Sequence, residues 1–426
     1  MRTASAPGNR EVFPRITVPT PPAGANDARL LDAVQHAAFA FFWNETHPET
    51  GLTKDRARNA RGVADTYTVA SIASTGYALA ALPVGVERGW IDRKTAYRRA
   101  LTALRFVHDR LPHVHGFHYH FVDWRTGERV WKSELSSIDT ALLVLGTLVI
   151  ARYWRGTAAQ RLADAIYARV DFPWMQRGDG KDPSVKTLSH GWKPETGWLP
   201  NRWAKYDEAS YLYLLAMGAP TRAIGPDAWD QWEVPEGKAE GYDVFGGPTP
   251  LFMAQMTPGY YDLRGLRDRQ GRDWWRNFRN SHLANQAYCA RNPEKRKTYS
   301  ETIWGITACD QPPPVGYGAQ APENGQNDGT VAPTAAIAGI FIVPDLARAS
   351  LRALWELHRA RIWGRYGFAN AFNVGKDWYD KDVIGIDLGM MLLAIENHRS
   401  GLIWRLMRGH PAVKKGLAAA GFRPDH

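Results

Sequence analysis

Three segments of this 426-residue chain are apolar on every side, and they constrain its fold more than any other feature. A helix that is apolar all round must be buried all round, so each segment predicts a helix in the protein interior. A fourth segment, 331–343, is similar, although Pro333 marks its start. Segment 92–111 carries eight charged residues and is typical of an outer helix instead. The three all-round apolar segments are residues 140–151, 211–217 and 388–395.

Helical length and spacing recur in about twelve segments, whereas clear strand alternation is scarce. Consecutive helices joined by loops tend to pack as antiparallel neighbours, so twelve helices group into six hairpins. Six hairpins that close on themselves form a barrel with an inner and an outer ring. The sequence therefore predicts an all-α fold, an (α/α)6 barrel with long aromatic loops. The segments lie near residues 28–45, 66–88, 92–111, 136–154, 157–172, 205–217, 247–256, 274–292, 330–340, 344–359, 386–399 and 402–408.

Two regions depart from the helical pattern. Residues 116–131, GFHYHFVDWRTGERVW, predict a short β-hairpin that turns at residues 125–127. Residues 1–26 are rich in Pro, Ala and Gly, and they predict a flexible N-terminal arm. No break in composition divides residues 27–426, so we expect a single barrel domain there, which would also be the catalytic domain.

An acid stands at the N-terminal edge of each apolar run. The inner helices of an alternating barrel all run in one direction, so their N-termini gather at one rim. A buried carboxylate without a partner is costly, and it requires a partner, a raised pKa or a cleft. We therefore expect the acids to converge on one cleft. They are Glu134 and Asp139 before run 140–151, Asp207 and Glu208 before 211–217, Asp328 before 331–343, and Asp387 before 388–395.

Some of these acids also have a purely structural interpretation. Asp139 lies three residues after Ser136, a capping-box arrangement that satisfies a helix end. Asp328 precedes a glycine and favours a turn or a helix cap. Glu208 shares a helix face with apolar residues, but the adjacent Asp207 does so too, and the pattern leaves the choice between them open.

Composition narrows the classes of function. The net charge of +10 comes from scattered basic residues, which indicates solubility and leaves nucleic-acid binding as a weak alternative. Most of the 18 tryptophans are expected in the core, but Trp-rich clefts also suit sugars. The chain has neither a phosphate-binding glycine loop nor a G-x-S-x-G elbow. Cys289 and Cys309 form neither a metal set nor a disulfide framework, although they could pair.

No membrane segment is predicted. The N-terminal residues lack the apolar stretch of a signal peptide. The longest apolar stretch, 141–151, is shorter than the roughly 20 residues that a spanning helix needs.

Five histidines lie between residues 108 and 120. In a strand, His118 and His120 would share a face and could bind a metal. The alternatives are structural histidines, or a His120 that binds sugar or orients an acid. Because no H-E-x-x-H motif follows and the cysteines are distant, we expect no metal and no cofactor.

Eight motifs carry a family resemblance. They are FFWNETHPETGLTKDR (41–56), GFHYHFVDWRTGER (116–129), SELSSIDTALL (133–143), WAKYDEASYLYLLAMGAP (203–220), WGITACDQPP (304–313), NDGTVAPTAA (327–336), GRYGFANAFN (364–373) and IGIDLGMMLLAIENHRSGLIW (384–404). In this order they resemble the bacterial glucoamylase-like family, which includes the endo-β-1,2-glucanases of glycoside hydrolase family 144. The resemblance covers roughly residues 28–408.

The resemblance implies an (α/α)6 barrel and an inverting hydrolase of β-1,2-linked glucans. It makes Glu208, in W-x-x-Y-x-E-A, the general acid and Asp387, in G-I-D, the general base. Glu134 and Asp139 match E-L-S-x-I-D-T and are further catalytic candidates in the same cleft. The residues expected to contact sugar are Arg56, His120, Trp203, Tyr206, Trp304 and Trp378.

The chain departs from the family pattern at three places. The family usually reads G-F-x-D-A-F-N, but Asn370 replaces the acid here. After G-I-D the usual Gln-Gly-Pro is replaced by Leu388, Gly389 and Met390. The usual G-S-P becomes Gly218, Ala219 and Pro220. These changes touch the expected rim, so they leave glucan specificity and the endo or exo mode open.

Two alternatives to a β-1,2-glucanase therefore stand. One is a glycoside hydrolase or transglycosylase of the same fold that acts on another glucan linkage. The other is a glycan-binding protein without catalytic activity. In each case the partner is an oligo- or polysaccharide, and we expect a monomer. A glucan substrate would favour a periplasmic or secreted location.

Overall fold

The structure, a computed structural model, describes residues 13–178, 180 and 182–425. Sixteen α-helices lie within these residues, and short 3₁₀ or π turns extend several of them. The helices are α1 (Asp27–Asn44), α2 (Ile72–Glu87), α3 (Arg93–Asp109), α4 (Ser137–Tyr153), α5 (Ala158–Ala168), α6 (Phe172–Arg177), α7 (Ser210–Gly218), α8 (Asp227–Gln231), α9 (Met256–Tyr260), α10 (Trp274–Arg291), α11 (Pro333–Ala338), α12 (Pro344–Ala353), α13 (Arg359–Ile362), α14 (Gly385–Arg399), α15 (Leu402–Arg408) and α16 (Pro411–Ala419).

The helices form two rings, and the (α/α)6 barrel predicted from the sequence is confirmed. Helices α2, α4, α7, α11 and α14 are buried along most of their length, and the short α9 contacts α7 and α14. Helices α1, α3, α5 and α12 pack outside them. The segments with all-round apolar character thus lie in the inner ring, because burying only one face would leave apolar side chains in water.

Helix α2 is also inner, although its sequence did not single it out. It is buried from Ile72 to Gly85, but many of its side chains are Ala, Ser, Thr or Gly. These small residues let it approach α4 closely. A Cβ placed on Gly146 would lie 2.0 Å from the carbonyl oxygen of Gly76. Only glycine fits at this crossing of the two helices.

Helix α3 has the amphipathic character predicted for an outer helix. Its buried residues, which include Ala96, Ala100, Leu104 and Val107, recur on one face. Asp92 caps its N-terminus by accepting a hydrogen bond from the backbone N–H of Thr95.

Short antiparallel strands connect the helices at the rim. Among the described residues they are β1 (Arg56–Arg58), β2 (Val69–Ser71), β3 (His113–Val114), β4 (Phe117–His118), β5 (Phe121–Asp123), β6 (Leu135–Ser136), β7 (Gly191–Lys193), β8 (Gly197–Trp198), β9 (Glu236–Ala239), β10 (Tyr242–Phe245), β11 (Leu266–Arg267), β12 (Ala308–Gln311), β13 (Gly316–Ala319), β14 (Trp363–Gly364), β15 (Gly367–Phe368), β16 (Phe372–Asn373), β17 (Trp378–Tyr379), β18 (Asp382–Ile384) and β19 (Arg423–Pro424). Strand β1 pairs with β18, with Arg56 opposite Ile384. This pairing places Arg56 beside the start of α14, far from it in the chain.

The predicted hairpin at residues 116–131 is only partly correct. Its turn is present, since Gly127 has φ 78° and donates its backbone N–H to the carbonyl of Asp123. Strand β5, however, pairs mainly with β2, and the chain bends at His120. His118 and His120 therefore do not share a strand face. His118 is buried against Arg169, whose guanidinium lies 3.1 Å from Nε2.

The N-terminal arm predicted for residues 1–26 lies partly outside the described residues. In its described portion, Arg15 bonds to the carboxylate of Glu45, and Val18 is buried in the core. Both cysteines, Cys289 and Cys309, are buried free thiols. Among the helices of the described residues, none combines the length and apolar character needed to cross a membrane.

Candidate active site

A cavity of about 740 Å³ opens where the inner helices begin. Five of these helices contribute residues at or just before their first turn, so the predicted convergence of N-termini occurs. Because the inner helices are parallel, carboxylates far apart in the chain face the same space. The residues from these helix starts are Ser71, Asp139, Glu208, Met256 and Asp387.

Glu208 lines the cavity from a turn directly before α7, which begins at Ser210 rather than near 205 as predicted. Its neighbour Asp207 does not line the cavity. The Oδ1 atom of Asp207 instead accepts the backbone N–H of Ala209 at 2.8 Å. The structure thus separates two acids that helix periodicity could not distinguish.

The pKa of Glu208 is raised to about 8. Burial is the largest cause, and the negative charges of Asp139 and Asp207 add to it, while His120 lowers it in part. At neutral pH this carboxyl group therefore keeps its proton. A protonated carboxylic acid beside an open cavity can donate that proton to a bound ligand.

Asp387 is the third residue of α14 and is 4% exposed. Its Oδ2 accepts a hydrogen bond of 2.6 Å from the side-chain amide of Asn370. Burial is the main cause that raises its pKa to about 7, and Asp310 also raises it. Asn370 and Arg56 favour the ionised form. Asp387 therefore loses its proton more readily than Glu208.

His120 lies between the other two acids predicted for the cleft, of which Asp139 lines the cavity and Glu134, contrary to the prediction, lies behind His120 and does not. Its Nδ1 is 2.9 Å from Oε1 of Glu134, and its Nε2 is 3.5 Å from Oδ2 of Asp139. Burial lowers the pKa of His120, but the two carboxylates outweigh burial and raise it to about 9. The imidazole is therefore a cation at neutral pH and lowers the pKa of Glu134.

Asp139 has both of its predicted roles. Ser136 caps α4 by accepting the backbone N–H of Asp139, and the Ser136 hydroxyl donates to Oδ2 of Asp139 at 2.5 Å. The same carboxylate lines the cavity. Within the described residues, His120, Glu134 and Asp139 also place their ligand atoms within 4.8 Å of one another, close enough for a metal ion. In the structure the three side chains form an ion-paired arrangement, with His120 between the two carboxylates.

Arg56 also lines the cavity. Its guanidinium donates to both carboxylate oxygens of Asp310, at 2.8 and 3.4 Å. The backbone N–H of Asp310 in turn donates to Oδ1 of Asn370 at 2.9 Å. Asn370 thus links the Arg56–Asp310 pair to Asp387. These contacts hold a cation near Asp387 and fix the orientation of its carboxylate.

Four of the residues expected to contact sugar lie elsewhere. Trp304 is fully buried and lies beside His282 in the core. Trp203 stacks on His190, with ring centroids 3.7 Å apart. Their apolar faces are covered by protein, and neither lines the cavity.

Tyr206 and Trp378 are also outside the cavity. The hydroxyl of Tyr206 accepts a hydrogen bond from the side-chain amide of Asn277, and its ring is 8% exposed among other aromatic side chains. Trp378 lines a separate cleft. Asp328 is likewise away from the cavity, where it pairs with Lys376 at 2.8 Å and caps a turn. The turn or helix-cap role suggested by the sequence therefore explains the presence of Asp328.

The cavity also contains residues that the sequence did not single out. Asp55 lines it beside Arg56, and burial raises the pKa of this carboxyl group. Tyr67, Trp131 and Tyr317 contribute aromatic rings. Asp55 directly precedes Arg56 in a motif quoted for the family resemblance. Because Arg56 was predicted to contact sugar, Asp55 could have been predicted to lie near the site as well. Tyr67 and Trp131 come from loops and Tyr317 from the short strand β13, and segments of this kind are too short or too irregular to show a periodic pattern.

Comparison with known proteins places this fold and cavity in context. Residues 200–411 match the family model described as "Glycoamylase: Putative glucoamylase". The chain is 28% identical over 427 residues to an exo beta-1,2-glucooligosaccharide sophorohydrolase of Parabacteroides distasonis. That alignment covers 92% of this chain and 57% of the relative, so the chain spans little more than half of the curated relative's length.

Solved structures agree over nearly the whole chain. A protein described as a putative glucoamylase from Bacteroides fragilis superposes with a TM-score of 0.86 and 29% identity, covering 96% of this chain and all of that one. An endo-beta-1,2-glucanase from Chitinophaga pinensis, in complex with sophorotriose and glucose, gives a TM-score of 0.86 and 26% identity, with 94% and 99% coverage. The resemblance found in the sequence motifs is thereby confirmed: the C-terminal half of the chain matches the glucoamylase family model, and the whole fold is similar to that of proteins that include an endo-β-1,2-glucanase.

Proposed function

We propose that this protein is a glycoside hydrolase that cleaves β-1,2-glucan with inversion of the anomeric configuration. One observation carries the proposal. Two carboxyl groups, Glu208 and Asp387, line one cavity from the starts of two inner helices, and Asp387 accepts a hydrogen bond from Asn370 that favours its ionised form. Glycoside hydrolysis needs one carboxyl group that keeps its proton and one that gives it up.

In this mechanism Glu208 is the general acid. Its proton passes to the glycosidic oxygen as the bond to the anomeric carbon breaks. Asp387 is the general base, and it takes a proton from the water molecule that attacks the opposite face of the sugar. Asn370 and Arg56 stabilise the ionised form of Asp387 before it takes that proton.

The ion-paired group around His120 has a supporting role. The imidazolium and the Arg56 guanidinium both line the cavity and offer N–H donors to sugar hydroxyl groups. Glu134 holds His120 in place, and Asp139 raises the pKa of Glu208. Two of the three relatives named above, the sophorohydrolase and the endo-β-1,2-glucanase, support β-1,2-glucan as the substrate, since both are named for this linkage.

Product analysis tests the proposal. The protein is incubated with linear and cyclic β-1,2-glucan and with glucans of other linkages, and the anomer released is followed by NMR. We expect β-1,2-linked oligosaccharides that first appear as the α-anomer. Activity on another linkage only, or first release of the β-anomer, would contradict it. Binding of glucan without any product would instead favour a glycan-binding protein.

Site variants then test the assignment of the two acids. Glu208→Gln and Asp387→Asn should each abolish most activity, because each removes a proton transfer worth about 10²- to 10⁴-fold in rate. Asp207→Asn is the matched control. It changes the adjacent carboxylate, which does not line the cavity, and Asn can still accept the backbone N–H of Ala209. If Asp207→Asn lost activity and Glu208→Gln did not, Asp207 rather than Glu208 would be the general acid.

A further inference from the structure

The catalytic cavity continues beyond its own walls. A connecting cleft of about 370 Å³ shares Arg56, Tyr67 and Trp131 with it. The connecting cleft in turn shares Arg58 with an outer cleft of about 950 Å³, where Trp378 lies. Shared lining residues mean that these three spaces adjoin. We call this succession of neighbouring spaces, from the acids to the outer surface, the groove.

Strand β1 forms the floor of this groove. Arg56 and Arg58 alternate with Ala57 and so project from the same side of the strand. Asp382, on the paired strand β18, lies 3.2 Å from the Arg58 guanidinium and 4.0 Å from that of Arg56. The charged side chains of Arg56, Asp382 and Arg58 therefore form a row that runs from the catalytic cavity to the outer cleft.

The arginines of the groove are paired with carboxylates. Arg56 pairs with Asp310 at 2.8 Å, and Arg361 in the outer cleft pairs with Asp377 at 3.1 Å. An anionic ligand would have to compete with these carboxylates for each arginine. Paired side chains instead present fixed N–H donors and carboxylate acceptors close together. This pattern suits a neutral ligand with many hydroxyl groups.

Aromatic rings lie along the same path. Trp131 is 63% exposed, and its backbone adopts φ 54°, a left-handed conformation that is unfavourable for a bulky residue. The edge of its ring packs near Phe121, at 5.2 Å between centroids, so the ring is supported but not covered. An exposed Trp held in a strained loop beside a cavity is typical of a binding platform.

The outer cleft is lined by two further aromatic residues, Trp363 and Trp378. Both are partly exposed. The flat apolar face of a tryptophan beside an open space can stack on the C–H surface of a sugar ring. The outer cleft therefore offers aromatic contacts to a glucan chain.

We propose that the groove binds the distal part of a long glucan chain, which passes from the catalytic cavity over Trp131 and strand β1 to Trp378. This inference rests on the proposed function and extends it. Long substrates gain contacts in the outer cleft that short ones cannot reach. The groove therefore favours polymeric or long oligomeric glucan over short oligosaccharides.

The test compares substrates of increasing length. We measure kcat/KM on a series of purified β-1,2-linked glucooligosaccharides and on the polymer, for the full chain and for Trp378→Ala. The full chain should show kcat/KM rising with length beyond the shortest cleaved substrate. In Trp378→Ala the ratio of the long to the short substrate should fall about five- to tenfold, the effect of one aromatic contact. If Trp378→Ala left the ratio of kcat/KM on the long substrate to that on the short one unchanged, the proposed binding of glucan in the groove would be wrong.

Two further variants complete the design. Ala60 lines the outer cleft from an exposed position, so Ala60→Arg obstructs the cleft without removing a core contact and should lower the same ratio. It keeps the inference testable if Trp378→Ala does not fold. Trp90→Ala, at a partly buried tryptophan stacked on His36 outside the groove, is the control and should leave the ratio unchanged.

The outcomes also separate the two proposals. If the full chain cleaves none of the oligosaccharides, the proposed function fails. If it cleaves them, but the long-to-short ratio is the same in Trp378→Ala and Ala60→Arg as in the full chain, only the groove fails.

Discussion

The substitution Asn370→Asp tests how the cavity controls the proton of Asp387. The side chain of Asn370 is 1% exposed, and its amide donates to Asp387 at 2.6 Å. An aspartate at this position can still accept the backbone N–H of Asp310, as Asn370 does at 2.9 Å. It would replace the donor that faces Asp387 with a carboxylate oxygen. Two carboxyl groups in such contact cannot both ionise.

The size of the effect follows from the lost hydrogen bond. A hydrogen bond to a charged group is worth about 1.5–3 kcal/mol, and one pKa unit corresponds to about 1.36 kcal/mol. The pKa of Asp387, now about 7, should therefore rise by about one to two units. Because the base acts in its ionised form, raising its pKa moves the acidic limb of the pH profile upward. At pH 7 the ionised fraction falls from about one half to between about 10% and 1%. We expect kcat/KM at this pH to fall about 5- to 50-fold.

The assay is kcat/KM on β-1,2-glucan across the pH range, since this parameter reports the acid and base of the free enzyme. The maximum should also fall, because the acidic limb then approaches the alkaline limb set by Glu208 near pH 8. Asn373→Asp is the control. Asn373 is 2% exposed and lies in the same motif, but its amide donates to Asp328 and Thr330 instead. A folded Asn370→Asp protein whose acidic limb matches that of the unchanged protein would refute the role of Asp387 as base.

Three further predictions concern the alkaline limb and the barrel. In Glu208→Gln the alkaline limb near pH 8 should disappear from any residual activity, because no proton remains to be lost there; a pH profile checks this. Gly146→Ala should lower the free energy of unfolding by about 1–3 kcal/mol, measured in urea, since its Cβ would press on the backbone of Gly76; equal stability would contradict the close crossing. Glu396→Ala should cost about 3–5 kcal/mol, because Glu396 is 1% exposed and accepts two bonds of 2.9 Å from Arg88, whose charge would lose its partner; calorimetry measures the loss.

The barrel was predictable because burial leaves a strong mark on sequence. Segments 140–151, 211–217 and 388–395 have no polar face that could be exposed to solvent. All three form inner helices. Helix α2 was harder to place, because its contact with α4 depends on small residues such as Gly76 rather than on apolar ones. Glycines that allow close helix packing do not make the segment more apolar. The pattern of apolar residues therefore does not reveal such a helix contact.

The candidate site was predictable in its acids and less so in its aromatic residues. Glu208, Asp387 and Asp139 line one cavity because inner helices share a direction, and direction follows from the order of elements. Whether a tryptophan faces a cleft depends on loop geometry, which leaves no periodic signal. Trp304 and Trp131 illustrate the difference, since the former is fully buried and the latter is 63% exposed. Contacts between distant segments, such as that of Asn370 with Asp387, also depend on the completed fold.

The departures from the family pattern at the start of α14 do not act equally on the site. Leu388 follows Asp387 directly but is 1% exposed, and it packs into the barrel wall without lining the cavity. Met390 does line the cavity, so it is the member of this trio that a substrate would meet. A methionine side chain is flexible and polarizable, and it adapts to the shape of a ligand more readily than the usual proline. A difference in glucan preference from relatives that carry proline is therefore expected to arise at Met390 and at Asn370, the two departures that lie within reach of Asp387 or its cavity.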